Sequence, residues 1–187
     1  MKAVHLEVPQ AMLDERRRLG HDRFDEMWDG VLHMVPPPSM GHQHRGTRLV
    51  ALLHALAERA GMIAVYEAGL FRPGRNDDYR QPDNLVARPE HVSSRGVEGR
   101  AELVVEIRSP NDETYEKLPF FAEMQVQEVL ILDGSSIELR RLDGDRYALV
   151  DADSDGWVHS KAVPLSLRSG PGDGQITART ADGDVVM

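Results

Sequence analysis

A chain of 187 residues, 41% hydrophobic and 28% charged, carries enough apolar material for one packed domain. Its formal net charge of −9 excludes a protein that coats nucleic acid through bulk positive charge, and the absence of cysteine excludes disulfides, thiolate metal sites and cysteine nucleophiles. Residues 1–14 lack the basic-then-apolar pattern of a secretion signal and no apolar run is long enough to span a bilayer, so the sequence predicts a soluble, cytoplasmic protein with no membrane partner.

In chain order, residues 9–20 predict a short amphipathic helix ending at Gly20, and residues 24–35 predict a hairpin about the Asp29-Gly30 turn signal. Pro36, Pro37 and Pro38 stop that hairpin. Ser39 then caps a helix whose apolar residues Leu49, Leu52, Leu53, Leu56 and Ala60 recur at helical spacing before Gly61. Three runs of strand length follow, at 63–66, 85–87 and 103–107, and the last is apolar enough to be a central strand covered on both faces. The stretch between the first two carries Arg72, Arg75 and Arg80, and reads as a solvated turn or a phosphate-binding patch interrupted by Asp77 and Asp78. A helix bearing Lys117 near its start is next, with Leu118, Phe121, Ala122 and Met124 on its apolar face and Pro119 tolerated in its first turn. Residues 129–132 predict a buried strand. The remainder predicts antiparallel hairpins about Asp143-Gly144-Asp145 and Asp182-Gly183, with a further strand within 157–163.

Two acids stand at the ends of apolar strands, Asp83 after Pro82 and Glu106 within ELVVEI. An ionised carboxylate in an otherwise apolar strand requires a partner, and adjacent strands can bring two such groups to one hard divalent cation. Magnesium or manganese held by Asp83, Glu106 and the main-chain carbonyl of Ile107 would activate water and neutralise phosphate charge, with the Lys117 ammonium as the remaining cation or proton relay. Glu67, just after the first core strand, could complete the metal shell. His42 and His44 lie two apart and cannot share a helix face, and the other histidines show no ligand spacing.

The runs RFDEMWDGVLHM, PPPSMGH, Pro82-Asp83, ELVVEIRSPND, EKLPFFAE and EVLILD, taken in order, resemble the Uma2 (DUF820) family of restriction-endonuclease-like proteins within the PD-(D/E)xK nuclease superfamily. The likeness extends over residues 7–149, and the joint order is far more specific than any one motif. It implies an α/β fold with an αβββαβ core on a mixed central sheet, an N-terminal hairpin and a C-terminal antiparallel β appendage. It implies divalent-metal-dependent cleavage of DNA, with Asp83 and Glu106 as the two acids and Lys117 as a lysine that has moved from the third strand onto the next helix. Glu26 matches an acid of the family's N-terminal hairpin, and His42 its histidine after the prolines. Two departures stand out. Arg108 occupies the usual strand-lysine position and could bind phosphate but not act as a base; Met124-Gln125 stands where the family has a glycine after the lysine-bearing helix.

The expected organisation is one domain over 1–187, with a helix and hairpin at 1–38, a nuclease-like core at 39–134 and a β extension at 135–187. The leading expectation is a metal-dependent endodeoxyribonuclease with DNA as substrate, working as a homodimer; no protein partner is identifiable. The alternative is a nuclease-fold protein without metal chemistry that binds nucleic acid or protein. A third reading places the function in the C-terminal hairpins as a partner-recognition surface.

Overall fold

The computed structural model describes residues 3–5, 9–20, 22–110 and 112–187, with backbone alone for 3–5. Residues 1–2, 6–8, 21 and 111 lie outside it, including part of the stretch read for a secretion signal and one position of the family-like run at 102–112. Strand β1 (Ala3–His5) is followed by helix α1 (Gln10–Leu19), which ends on Gly20 in the left-handed region, and by the hairpin β2 (Glu26–Trp28) and β3 (Val31–Met34). Asp29 and Gly30 both take positive φ, the geometry that a two-residue hairpin loop demands. Helix α2 (Met40–Arg59) starts where the Ser39 hydroxyl accepts from the His42 N–H. Its buried face is Gly46, Leu49, Leu53, Leu56 and Ala57. Ala60, expected on that face, is exposed because it forms the C-cap.

Strands β4 (Ile63–Tyr66), β5 (Leu70–Phe71), β6 (Tyr79–Arg80), β7 (Asn84–Ala87), β8 (Val97–Glu98) and β9 (Leu103–Ile107) lead to helix α3 (Leu118–Glu123), entered through a 3-10 turn at Tyr115–Lys117. Then come β10 (Glu128–Asp133), β11 (Ser136–Asp143) and β12 (Arg146–Leu149), and β13 (Val158–His159), β14 (Ser166–Ser169), β15 (Ile176–Thr180) and β16 (Gly183–Val186).

The central six-stranded sheet runs β12-β11-β10-β9-β7-β4, parallel only between β9 and β10. Helix α2 and the first strands precede that parallel pair and α3 crosses over within it, which is the expected αβββαβ order on a mixed sheet. Of the C-terminal antiparallel strands, β11 and β12 extend the central sheet, while β13 to β16 form a separate four-stranded sheet. Strand β9 is buried at every position, as its apolar run predicts. One face, with Leu103, Val105 and Ile107, packs under α2 and the C-terminal sheet; the other, with Val104, packs under Phe120, Phe121 and Met124.

A third sheet, β1-β3-β2-β6-β5-β8, has no counterpart in the reading of the sequence beyond the β2–β3 hairpin. Strands of two residues are too short to show a period, so the stretch around Arg72, Arg75 and Arg80 read as a turn. In the structure Asp78 and Arg80 are buried there and joined at 3.0 Å, and the Arg80 guanidinium lies 4.3 Å from the Trp28 ring centroid and 4.1 Å from that of Phe120. This cation between two rings fastens β2 to α3.

Two expectations about stability follow from this packing. Burial pushes the Asp78 carboxyl up, but hydrogen bonds from Arg72, the Asp29 N–H and Arg80 outweigh it and hold the group below its ordinary value of 3.8. Its contribution is therefore complete above that value and lost as pH falls through the lower, folded one. Asp78→Asn should lower unfolding free energy by about 3 kcal/mol at pH 7, with the deficit shrinking below about pH 4, measured by urea denaturation across pH. Gln125 takes φ 50° at the position where the family carries glycine, a conformation that costs a residue with a Cβ about 1 kcal/mol. Gln125→Gly should raise the unfolding free energy by up to about 1 kcal/mol in the same assay.

Candidate active site

Antiparallel pairing of β7 with β9 sets Asn84 opposite Val105, so one step further along the same register sets Asp83 opposite Glu106. Alternation along each strand then puts Asp83 on the face that carries Leu85 and Ala87, and Glu106 on the face that carries Val104, which is one and the same face of the sheet. Both acids line a cleft of about 490 Å³, as do Lys117, Ile107, Glu26, Glu67 and His42.

Lys117 ends the 3-10 turn before α3, and Pro119 fits the first turn of that helix without losing a hydrogen bond. Its ammonium lies 3.1 Å from Glu106 Oε1 and 2.9 Å from Glu26 Oε1. All three side chains are largely removed from solvent. Burial pushes the Glu106 carboxyl up, Asp83 and Glu26 add to this, and Lys117 only partly offsets it, leaving the group pushed up to about 8. Burial works against the Lys117 ammonium, but Glu106, Glu26 and Asp83 together hold it above the ordinary lysine range. Glu26 is secured on its other sides, with Oε2 accepting from the Trp28 indole at 2.7 Å and Oε1 from the Gln81 N–H at 2.9 Å.

Asp83 Oδ2 accepts from the Ile107 N–H at 2.6 Å, which locks the carboxylate to the end of β9. His42 Nε2 is 2.8 Å from the Ile107 carbonyl and 3.3 Å from Asp83 Oδ2, so one ring nitrogen bridges both groups. Burial lowers the affinity of His42 for a proton, but Asp83 and the Ile107 carbonyl more than reverse this and raise its pKa. Glu67 sits at φ 50° after β4, with Oε1 accepting from Gln43 at 2.7 Å and Oε2 facing Arg23 at 3.3 Å.

Arg108 is not part of the cleft. The chain leaves the sheet after Ile107, and the Arg108 guanidinium turns to Asp133 at 2.9 Å and over the Tyr115 ring. Glu106 takes its cation from Lys117 instead. The arginines of the stretch before Asp83, and Arg45 and Arg48 of α2, are also engaged elsewhere. Arg72 pairs with Asp78 and Glu123, Arg75 with Asp77 and Asp29, Arg45 donates to the Gly134 and Gly174 carbonyls, and Arg48 to the Val186 carbonyl. Gln43, Gln81 and Trp28, which support the acids, carry no pattern in the sequence that marks them; only the position of Gln81 just before Pro82-Asp83 is suggestive.

Two carboxylates and a main-chain carbonyl at one point are hard oxygen donors of the kind magnesium and manganese take. Among the described residues no group of three or more His, Asp or Glu is arranged to hold a metal ion.

A sequence profile of the Uma2 family, described as "Putative restriction endonuclease", matches residues 14–170. The chain belongs to the Uma2 family. The crystal structure of "a putative nuclease belonging to DUF820" from Anabaena variabilis ATCC 29413 is similar, with a TM-score of 0.57 and 16% identity over 74% of this chain and 83% of that one. The DrdV–DNA complex solved by cryo-electron microscopy is a more distant likeness, with a TM-score of 0.37 and 16% identity over 56% of this chain and 10% of that one. No curated protein matches the chain. Membership of Uma2 and a fold shared with a nuclease-like protein support a nuclease. No helix among the described residues of this Uma2 protein is long and apolar enough to cross a membrane.

Because the folded state binds a proton at Glu106 that the unfolded chain releases near 4.5, stability should decline as pH rises from about 4.5 to 8. Glu106→Gln removes that linkage while Glu26 keeps its bond to Lys117. In EDTA its melting midpoint should match the wild type near pH 5 and exceed it by a few degrees at pH 8, followed by calorimetry.

Proposed function

We propose that this protein is a divalent-metal-dependent endonuclease that hydrolyses DNA phosphodiester bonds. The observation that carries the reading is the convergence of Asp83, Glu106 and Lys117 in one cleft, with the acids on paired strands and the ammonium 3.1 Å from Glu106.

In this reading Asp83, Glu106 and the Ile107 carbonyl hold magnesium or manganese. The ion, when bound, supplies charge neutralisation at the phosphate and a more acidic water. Asp83 is preset for its part by the Ile107 N–H, and His42 holds both Asp83 and the Ile107 carbonyl in place. Glu106 would have to be ionised to hold such a cation, as any carboxylate ligand must be. Lys117 then directs ammonium hydrogen bonds toward the phosphate oxygens where negative charge grows during attack. Glu26 keeps Lys117 charged and aimed into the cleft, acting through the lysine and not on the substrate. Glu67, held by Gln43, lines the same cleft and can accept a hydrogen bond from the attacking water.

That no group of three or more His, Asp or Glu among the described residues is arranged to hold a metal ion favours one other reading, a nuclease-fold protein that binds nucleic acid without cutting it. Supercoiled plasmid and single-stranded DNA incubated with magnesium or manganese separate the two. Wild type should nick or degrade DNA, EDTA should stop it, and Asp83→Ala, Glu106→Ala and Lys117→Ala should each lose about 100-fold or more in rate. Equal behaviour of wild type and all three variants on every substrate would falsify the endonuclease assignment. Binding of DNA with no cutting under any metal would favour the second reading.

A further inference from the structure

The lining of the cleft around Asp83 and Glu106 is chemically divided. Beside the acids and Lys117 it carries an apolar stretch formed by Phe24, Met34, Val35, Pro36, Pro37 and Pro38. A second cleft of about 460 Å³ adjoins the first, and Glu67 and Gln81 line both. Its lining includes Phe71 and Tyr79, whose ring centroids are 4.8 Å apart.

The turn at 22–24 stands at the junction. Phe24 lines the first cleft and Arg23 the second. The Arg23 side chain is 71% exposed, faces Glu67 at 3.3 Å and lies 5.3 Å from the Phe24 ring centroid. Arg95, the other cation of the second cleft, is by contrast tied to Glu98, to the Arg75 carbonyl and against the Phe71 ring. Arg23 is thus the cation best placed to exchange its long ion pair for a phosphate.

Duplex DNA presents two phosphate rows, and proteins that hold it typically neutralise about six to ten phosphates. Around this cleft Arg72, Arg75, Arg80 and Arg108 already face carboxylates, and the chain as a whole is at −9. That is a poor electrostatic footprint for a duplex. An unpaired strand is bound differently, through base faces laid on aromatic and apolar side chains with few cations. The first cleft offers such a surface in Phe24 and the prolines beside the acids.

We infer that the substrate is an unpaired DNA strand, whose bases lie on the wall of Phe24 and the prolines beside Asp83 and Glu106 while Arg23, next to Phe24 at the junction of the two clefts, takes one of its phosphates. The inference rests on the endonuclease reading above and adds the substrate class and the side chains that hold it. It makes Phe24 and Arg23 binding residues with no part in the chemistry.

The test pairs a binding measurement with a cleavage measurement. A fluorescently labelled single-stranded oligodeoxynucleotide and a blunt duplex of the same sequence are titrated with Glu106→Gln protein in magnesium, read by anisotropy. Both are also offered to the wild type for cutting. The single strand should bind about tenfold or more tightly and be cut preferentially. Phe24→Ala and Arg23→Ala should each weaken single-strand binding about tenfold. Arg23→Ala should also reduce the salt dependence, by about 0.7 in the slope of log affinity against log salt, with an unchanged melting midpoint because the side chain is exposed. A wild type that cuts DNA but binds and cuts the duplex equally well overturns the inference and leaves the endonuclease standing. So does single-strand binding indifferent to both substitutions. A wild type that cuts neither substrate takes the endonuclease reading with it.

Discussion

One ammonium group, Lys117 Nζ, stands between two buried carboxylates that come from different sheets. Glu106 belongs to the central sheet and Glu26 to the sheet that begins with the N-terminal strands, so this contact joins the two layers at the point where the cleft opens. Without the lysine, two carboxylates would share a desolvated volume with no compensating charge, which is among the costliest arrangements a fold can contain. With it, the proton affinity of Glu106 is still raised and that of Lys117 is raised as well, the signature of more negative than positive charge in one place. Groups held in this condition are common where a site is organised for a cation or a reaction and less common where a fold merely needs stability.

Much of the remaining structure can be understood as what holds this contact in place. The Trp28 indole donates to the Glu26 oxygen that Lys117 leaves open, and the Gln81 N–H shares the other oxygen with the lysine. Arg80 lies against Trp28 on one side and Phe120 on the other, so the strand that carries Glu26 and the helix that Lys117 precedes cannot separate easily. On the opposite side of the cleft His42, from the first turn of α2, bridges Asp83 and the Ile107 carbonyl. A helix start, two strand ends and a 3-10 turn therefore meet at one point, each supplying a polar group that its own element does not need for hydrogen bonding.

The acidic balance of the chain finds a use in the same packing. Arginines that look in the sequence like a phosphate-binding patch are partners of nearby carboxylates, and Asp78 in particular draws Arg72 and Arg80 into a buried cluster. The cluster adds polar cross-links to the third sheet, whose Leu70 and Val97 are buried in the core. Among the described residues lining the two clefts, Arg23 is exposed and weakly held, with one ion pair at 3.3 Å to Glu67.

The sequence by itself determined the elements whose signals are local. Gly20, the Asp29-Gly30 turn, the Ser39 cap and the apolar run at β9 each act within a few residues, so the helices, the hairpin and the central strand were legible, and the order of acids and lysine was enough to resemble Uma2. Tertiary structure alone decided that Glu26 shares Lys117 with Glu106, that Arg108 turns away to Asp133, and that β5, β6 and β8 complete a sheet with the N-terminal hairpin. The physical reason is range. A cap or a turn is set by the conformational preferences of neighbouring residues, whereas the partner of a buried charge is chosen by which strands lie side by side, and a pair such as Glu26 and Lys117 leaves no period or spacing to read.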